Sequence, residues 1–267
     1  MTSPAPVPVR HILGVPVNAM TMDEVLDRVQ DAVARRAPLQ IGVVNAAKVV
    51  NMRRDPALRA DVLSSDLILA DGIAVVWAGR VLGRRLPERV PGIDLMHGML
   101  QRGASLGWRV YCLGATREVL DGVLARMAAD YPGVQVAGSR DGYFNGAEEP
   151  AVAADIGASR ADILLVAMTS PKKEKFLARW SETLGVPVCH GVGGSFDVMA
   201  GKVERAPELW QRLGLEWLYR VKQEPRRLWR RYLVTNALFC GMLSAAFVRS
   251  LPGRLTGSPA ATETVRH

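Results

Sequence analysis

Three stretches of this chain carry side chains whose types and spacing could do chemistry. In "SSDLILADGIAVVWAGRVLGRRLPERVPGIDLM", Ser64 to Met96, an apolar run stops at Asp71-Gly72, a helical pattern follows, and the arginine-rich loop Arg84 to Arg89 comes next. A lone carboxylate at such a point could act as a general base, with cations opposite it stabilising developing negative charge. By residue type alone, Asp-Gly reads first as a plain turn. In "MTSPKKEKF", Thr169 and Ser170 close an apolar run, and Pro171 opens a helix with Lys172, Lys173 and Lys175 in its first turn. Cations at a helix N-terminus oppose the helix dipole, so an anionic ligand would explain them; solvated lysines are the alternative. In "GVGGSFD", Gly191, Gly193 and Gly194 could let backbone N–H groups approach phosphate oxygens, or could simply permit tight packing. Phe196 occupies the place of the third glycine of a dinucleotide fingerprint, so the stretch is not that motif. Asp197 reads equally as a ribose acceptor and as a helix cap.

Other chemistries find less support. Nothing resembles a Ser-His-Asp triad, and His190 reads as a packed strand residue. Asn45 could be no more than the cap of "AAKVVNMRR". The chain has no Asp-x-Asp, the usual grip on a metal-bound nucleotide diphosphate. A bound diphosphate would therefore be neutralised by arginine, lysine and backbone N–H groups.

The elements that must position these residues follow from apolar pattern. "TMDEVLDRVQDAV" starts with Thr21 and has Glu24 three residues on, a capping box that opens a helix. "LQIGVVNA", "DLILA", "WRVYCLG", "VQVAG", "ADILLVAM" and "PVCHGV" read as strands, and most are followed by helical patterns. Continuous apolar strands alternating with helices predict an α/β fold, Rossmann-like, with a mostly parallel sheet covered on both faces. Chemistry in such a sheet sits beyond the carboxyl ends of the strands. Asn45, Asp71, Gly114 to Thr116, Thr169 to Pro171 and Gly191 to Gly194 all fall there.

The 267 residues suffice for one large domain or a domain with an appendage, and 49% apolar content supplies a core. Three scattered cysteines favour a reducing compartment, and "MTSPAPVPVR" lacks the apolar region of a signal peptide, so export is not expected. The formal charge of +8 is local: Arg205 to Arg254 holds ten arginines and lysines against three glutamates. Three of the six tryptophans are interleaved there, followed by seventeen uncharged residues, Tyr232 to Val248. That run is at or below the length that spans a bilayer, so the segment reads as a basic amphipathic helix at a membrane interface. Pro225 suits the first turn of a new helix. A helical hairpin with solvated arginines is the alternative, and nucleic acid is a poorer partner for the tryptophans and the uncharged run. The expected divisions are a disordered 1–10, an α/β core 11–204, a basic helical appendage 205–250, expected to be the most mobile part, and a disordered tail 251–267.

"VVNAAKVV", "LADGIAVV", "RVPGIDLM", "SPKKEKFLARW" and the long block from Gly191 to Leu233 resemble the bacterial WecG/TagA/CpsF glycosyltransferases. The resemblance runs from about Ile12 to Leu233. It implies an inverting, metal-independent transfer of a sugar from a UDP-sugar to a sugar on a polyprenyl diphosphate. Such a transfer would serve capsule, exopolysaccharide, common-antigen or teichoic-acid assembly. The implied location is peripheral, on the cytoplasmic face of the inner membrane, against an anionic membrane surface. No cofactor and no nucleic acid are implied, and a homo-oligomer is compatible. The resemblance makes Asp71 the base, with Asn45 and Arg89 beside it. It places Asp197, Tyr143, Ser170, Lys173 and the glycines 191, 193 and 194 at the UDP-sugar, and Arg220, Arg227 and Arg230 at the lipid diphosphate. Two positions depart from the pattern: Val43 where some members have threonine, and Lys173 where some have glutamine. The rival reading is a non-catalytic nucleotide- or lipid-carrier-binding protein on the same fold.

Overall fold

The computed structural model describes residues 7–255, apart from the side chains of Arg227 and 251–255. It begins with an antiparallel hairpin, β1 (Val9–Ile12) and β2 (Val15–Asn18), then α1 (Met22–Arg35). Thr21 caps α1 through the expected box, its side chain accepting from Glu24 N while Glu24 returns a bond to the Thr21 N–H. The core continues as β3 (Leu39–Val44), α2 (Ala46–Arg54), α3 (Pro56–Leu63), β4 (Leu67–Ala70), α4 (Ile73–Val81) and α5 (Gly92–Leu106). Next come β5 (Arg109–Gly114), α6 (Arg117–Asp130), β6 (Gln135–Arg140), α7 (Glu149–Ala158), β7 (Ile163–Ala167), α8 (Lys172–Leu184), β8 (Val188–Gly191) and α9 (Ser195–Met199). The C-terminal part adds α10 (Glu208–Arg212), α11 (Glu216–Gln223) and α12 (Pro225–Leu255).

Six strands form one sheet in the order β4-β3-β8-β7-β5-β6, every pair parallel, as the uninterrupted apolar runs predict. Successive strand residues face opposite layers. In β7, Ile163 and Leu165 pack with α1, α5 and α6, whereas Leu164 and Val166 pack with α7 and α8. A third cluster joins the hairpin to α2, α3 and α4 and receives Phe239 of α12.

The chain leaves β5 toward β6 and leaves β7 toward β8, in opposite directions, so their carboxyl ends diverge into a crevice. Gly114, at φ +120°, closes its floor: a Cβ there would lie 2.5 Å from the Ala167 carbonyl. Gly114→Ala is expected to cost about 3 kcal/mol, overpacking added to a strained φ. Gly146→Ala, whose methyl would meet nothing within 4 Å, is expected to stay within about 0.5 kcal/mol. Denaturant unfolding of the two variants checks the contrast.

The segment expected to be disordered, 1–10, overlaps β1: Val9 and Arg10 pair with Asn18 and Val17, so ordered structure starts earlier than the sequence suggests. At the other end α12 runs past residue 250 to Leu255; the rest of the expected tail lies outside the described residues. Pro225 opens α12, a helix of 31 residues. Leu228, Thr235 and Phe239 form its buried stripe, while Trp229, Leu233 and Val248 stay exposed. Leu228–Ser250, 23 residues with mean hydropathy 1.4, is long and apolar enough to cross a membrane. The uncharged run alone understates this length. Phe239 of that stripe packs in the core cluster with the hairpin, α2, α3 and α4.

Several aromatics of this C-terminal part pack on one another: Trp210 meets Tyr219 edge-on, Trp217 lies against Tyr232, and Tyr219 Oη donates to Glu204. Docking is completed by Gly214, whose Cα leaves room for Ile73 and Trp77 of α4.

Candidate functional site

Four adjacent strands, β4, β3, β8 and β7, bring their carboxyl ends together, and the loops that leave them carry the site. After β3, Asn45 caps α2 by accepting from Lys48 N at 3.0 Å, and its Nδ2 donates to Asp71 Oδ2 at 3.4 Å. After β4, Asp71 turns its other oxygen, Oδ1, to the Gly92 N–H at 3.0 Å. The carboxylate is therefore held from two sides while each oxygen keeps a lone pair for another donor. Asp71-Gly72 is the junction where β4 passes into α4, with Gly72 as N-cap, and also the point where a half-buried carboxylate is fixed at the mouth of the sheet.

His190 supports this arrangement from below. It is fully buried, with Nδ1 3.3 Å from the Ile41 carbonyl and Nε2 3.2 Å from that of Gly92, and burial pulls it down to about 4. A neutral imidazole donates through one nitrogen only. It packs under the residue whose N–H holds Asp71, so the strand-packing reading of His190 is the right one.

The three lysines at the start of α8 separate. Lys172 donates to the carbonyls of Gly142 and Phe144 at 2.9 and 3.2 Å and stands over the Phe144 ring, so it fastens the loop after β6. Lys175 is exposed. Lys173 alone turns inward, only 8% exposed, beneath the glycine loop. A Cβ at Gly191 would sit 3.2 Å from Lys173 Cε, and one at Gly193 3.5 Å from Nζ, so the glycines make room for the lysine. Burial, reinforced by Lys48, pushes Lys173 down to about 8, with Glu174 and Asp71 opposing. Glu174 sits 3.9 Å from Lys173 Nζ but is engaged at 2.8 Å by Lys48. Burial alone would raise Glu174; Lys48 and Lys173 outweigh it and hold the carboxyl below its usual value. Lys48 and Glu174 were not among the sequence candidates, although both flank motif residues.

From above, Arg220 of α11 brings Nη1 to 3.7 Å from the Cβ position of Gly194, and Asp197 Oδ2 lies 3.8 Å from the same point. Asp197 sits in the first turn of α9. Arg89 donates to Glu216 of α11 at 2.6 Å, and Arg205 grips Asp94 with two bonds, 2.6 and 2.8 Å. These two pairs tie the appendage to the core at the rim of the site. Glu216, Arg205 and Asp94 escaped the sequence reading because each pair spans more than a hundred residues.

Ser170 is exposed ahead of the cis Ser170-Pro171 peptide at the start of α8. Tyr143 is 77% exposed on the loop after β6, the edge strand farthest from β4. Its loop is drawn back toward β5 by the bond from Gly142 N to Ala115 O. Arg230 is exposed on α12, and the Arg227 side chain lies outside the described residues. The structure thus brings together Asn45, Asp71, Lys173, the glycine loop, Asp197 and Arg220. It leaves Tyr143 and Arg230 at the periphery.

A carboxylate able to accept a proton therefore lies within the field of a buried cation, beneath a glycine turn covered by an arginine. Such a set can deprotonate a hydroxyl and receive a phosphate-bearing leaving group. Residues 10–251 match the Glycosyl transferase WecG/TagA/CpsF family. The chain is 38% identical over 180 residues to the N-acetylglucosaminyldiphosphoundecaprenol N-acetyl-beta-D-mannosaminyltransferase of Bacillus spizizenii, covering 67% of this chain and 69% of that protein.

Proposed function

Because the chain belongs to the WecG/TagA/CpsF glycosyltransferase family, we propose that it moves a hexosyl group from a UDP-sugar to a sugar carried on a polyprenyl diphosphate. The name of the Bacillus relative supports the class of acceptor. The observation that carries the reading is the placement of Asp71, fixed by Asn45 and Gly92, across from a glycine loop with Lys173 below and Arg220 above.

In this mechanism Asp71 removes the proton from the acceptor hydroxyl as its oxygen attacks the anomeric carbon. The bond from that carbon to the β-phosphate oxygen breaks, and UDP leaves with the electron pair. Attack from the face opposite the leaving group inverts the anomeric centre. Lys173, the loop N–H groups and Arg220 take up the charge that grows on the diphosphate, a role that otherwise falls to a metal ion. Asp197 fits a contact with the nucleotide. Arg227 and Arg230 are left for the acceptor's diphosphate, a part the resemblance also gives to Arg220, while Arg89 switches between Glu216 and substrate. Residues 205–250 act as the appendage that brings the site to the cytoplasmic face of the membrane, peripherally, with the exposed flank of α12 in the interface. The products feed assembly of a surface or wall polysaccharide.

The test is UDP release from a panel of UDP-sugars, N-acetylmannosamine included, with prenyl-diphosphate-linked N-acetylglucosamine as acceptor, in detergent with EDTA. Acceptor-dependent release that EDTA leaves unchanged is the expected result. Release abolished by EDTA and restored by a divalent cation would remove the metal-independent mechanism. UDP binding without release from any donor would favour the carrier-binding reading.

A further inference from the structure

Away from the transfer site the structure holds a cavity of about 420 Å³ between the β1–β2 hairpin, the C-terminal end of α2 and the stretch of α12 from Met242 to Ser250. This volume lies within the range of small-ligand sites. Four arginines from four elements line it: Arg53 of α2, Arg59 of α3, Arg84 after α4 and Arg249 of α12. No carboxylate is in its lining, and among the described residues none of the four forms an ion pair with an acid. Two of them are held in place: Arg59 donates to the Gly14 carbonyl at 2.8 Å, and Arg84 to that of His11. Each such bond uses one of the five N–H donors of a guanidinium, so four remain on each for another acceptor. Like charges converge at a cost, which a bound anion would offset.

The rest of the lining narrows the anion. Apolar side chains, among them Val15 and Met242, share the cavity with the arginines, a mixture that suits an amphiphile better than a small hydrated ion. The cavity's α12 lining, Met242, Ala246, Arg249 and Ser250, belongs to the end of the apolar segment Leu228–Ser250, where the neighbouring Val248 is 62% exposed. The lack of a carboxylate disfavours an ammonium-bearing zwitterion. We propose that this cavity is a head-group site for an anionic glycerophospholipid, its phosphodiester held by Arg53, Arg59, Arg84 and Arg249 and its glycerol end laid on the apolar wall. The site is separate from the transfer centre: α2 starts at the Asn45 cap and ends at this cavity, about 12 Å further along at 1.5 Å per residue. It would fix the depth and rotation of α12 at the surface. The inference rests on the membrane placement of α12 and does not depend on the transfer chemistry.

Isothermal titration of the full-length protein in a non-ionic detergent with dihexanoyl phosphatidylglycerol tests it, with dihexanoyl phosphatidylcholine and inorganic phosphate as parallel arms. Saturable one-to-one binding of the phosphatidylglycerol, weaker by tenfold or more for the other two ligands, is expected. In the Arg53→Gln/Arg249→Gln variant the affinity should fall about thirtyfold, about fivefold for each charge removed, with the thermal midpoint unchanged. Both side chains are exposed, so the variant should fold. Inorganic phosphate binding as tightly as the lipid would reduce the cavity to a simple anion site and overturn the proposal. Absence of saturable lipid binding, or full binding by the variant, would also overturn it. UDP release measured on the same variant separates this outcome from the transfer reaction, which should proceed at wild-type rate in detergent.

Discussion

Asp71→Asn is expected to slow acceptor-dependent UDP release by about a thousandfold while UDP affinity stays within about twofold of wild type, since general-base catalysis contributes roughly 10²–10⁴. The substitution keeps the size of the side chain and an amide oxygen that can still accept from the Gly92 N–H. It removes the proton acceptor and little else. The second support, Asn45 Nδ2 to Asp71 Oδ2, is already long at 3.4 Å, so its loss in the variant has a small structural consequence. Asn45→Ala acts by position only: it removes a helix cap worth about 1 kcal/mol and should slow the reaction far less. Single-turnover rates with saturating donor and acceptor, together with UDP titrations, separate the two effects. An Asp71→Asn enzyme that turns over at the wild-type rate would mean that another group takes the proton.

Much of this site was legible because its parts lie at points where the sequence changes texture. Asp71 ends an apolar run, Asn45 ends another, and the glycine loop follows a third. In a parallel sheet such ends share one edge, so separate local signals converge in space. Thr21 and Pro225 marked helix starts for the same local reason. What escaped was long-range or backbone-driven. The hairpin β1–β2 turns at Leu13-Gly14, and Leu13, with φ +52°, is not a residue type that announces a left-handed turn. The run of lysines at 172, 173 and 175 has one composition and three fates: one on carbonyls, one buried, one in solvent. Helical spacing cannot distinguish these without the position of β8. The pairs Arg89–Glu216 and Arg205–Asp94, and the four arginines of the distal cavity, depend on where the appendage docks. No local pattern carries that information.

Lys173→Gln should raise stability and lower UDP affinity at once, and the two effects have a common origin. Lys173 is buried and displaced to about 8 from 10.5, with its nearest carboxylate already engaged by Lys48. Between those two values the unfolded chain carries a proton that the folded protein lacks, so stability rises with pH across that window. Below about 8 the full cost of burying the charge is present. At 1.36 kcal/mol per unit this amounts to at most about 3 kcal/mol. The glutamine variant is relieved of it at pH 7, and its thermal midpoint should rise by several degrees and lose that pH dependence. In the proposed mechanism the same buried cation, which shares Glu174 with Lys48, is what the diphosphate of UDP would meet below the glycine loop, as a charge-assisted contact. Removing it should weaken UDP roughly 30- to 100-fold, about 2–3 kcal/mol. Binding of UDP should draw Lys173 back toward its ordinary value, so above pH 8 wild-type protein takes up a proton as UDP binds and the variant does not. Calorimetric titration in two buffers of different ionisation enthalpy reads that proton directly. A variant that is less stable than wild type yet binds UDP equally well would make Lys173 a structural residue, and would move the task of holding the leaving group to Arg220 and the loop N–H groups.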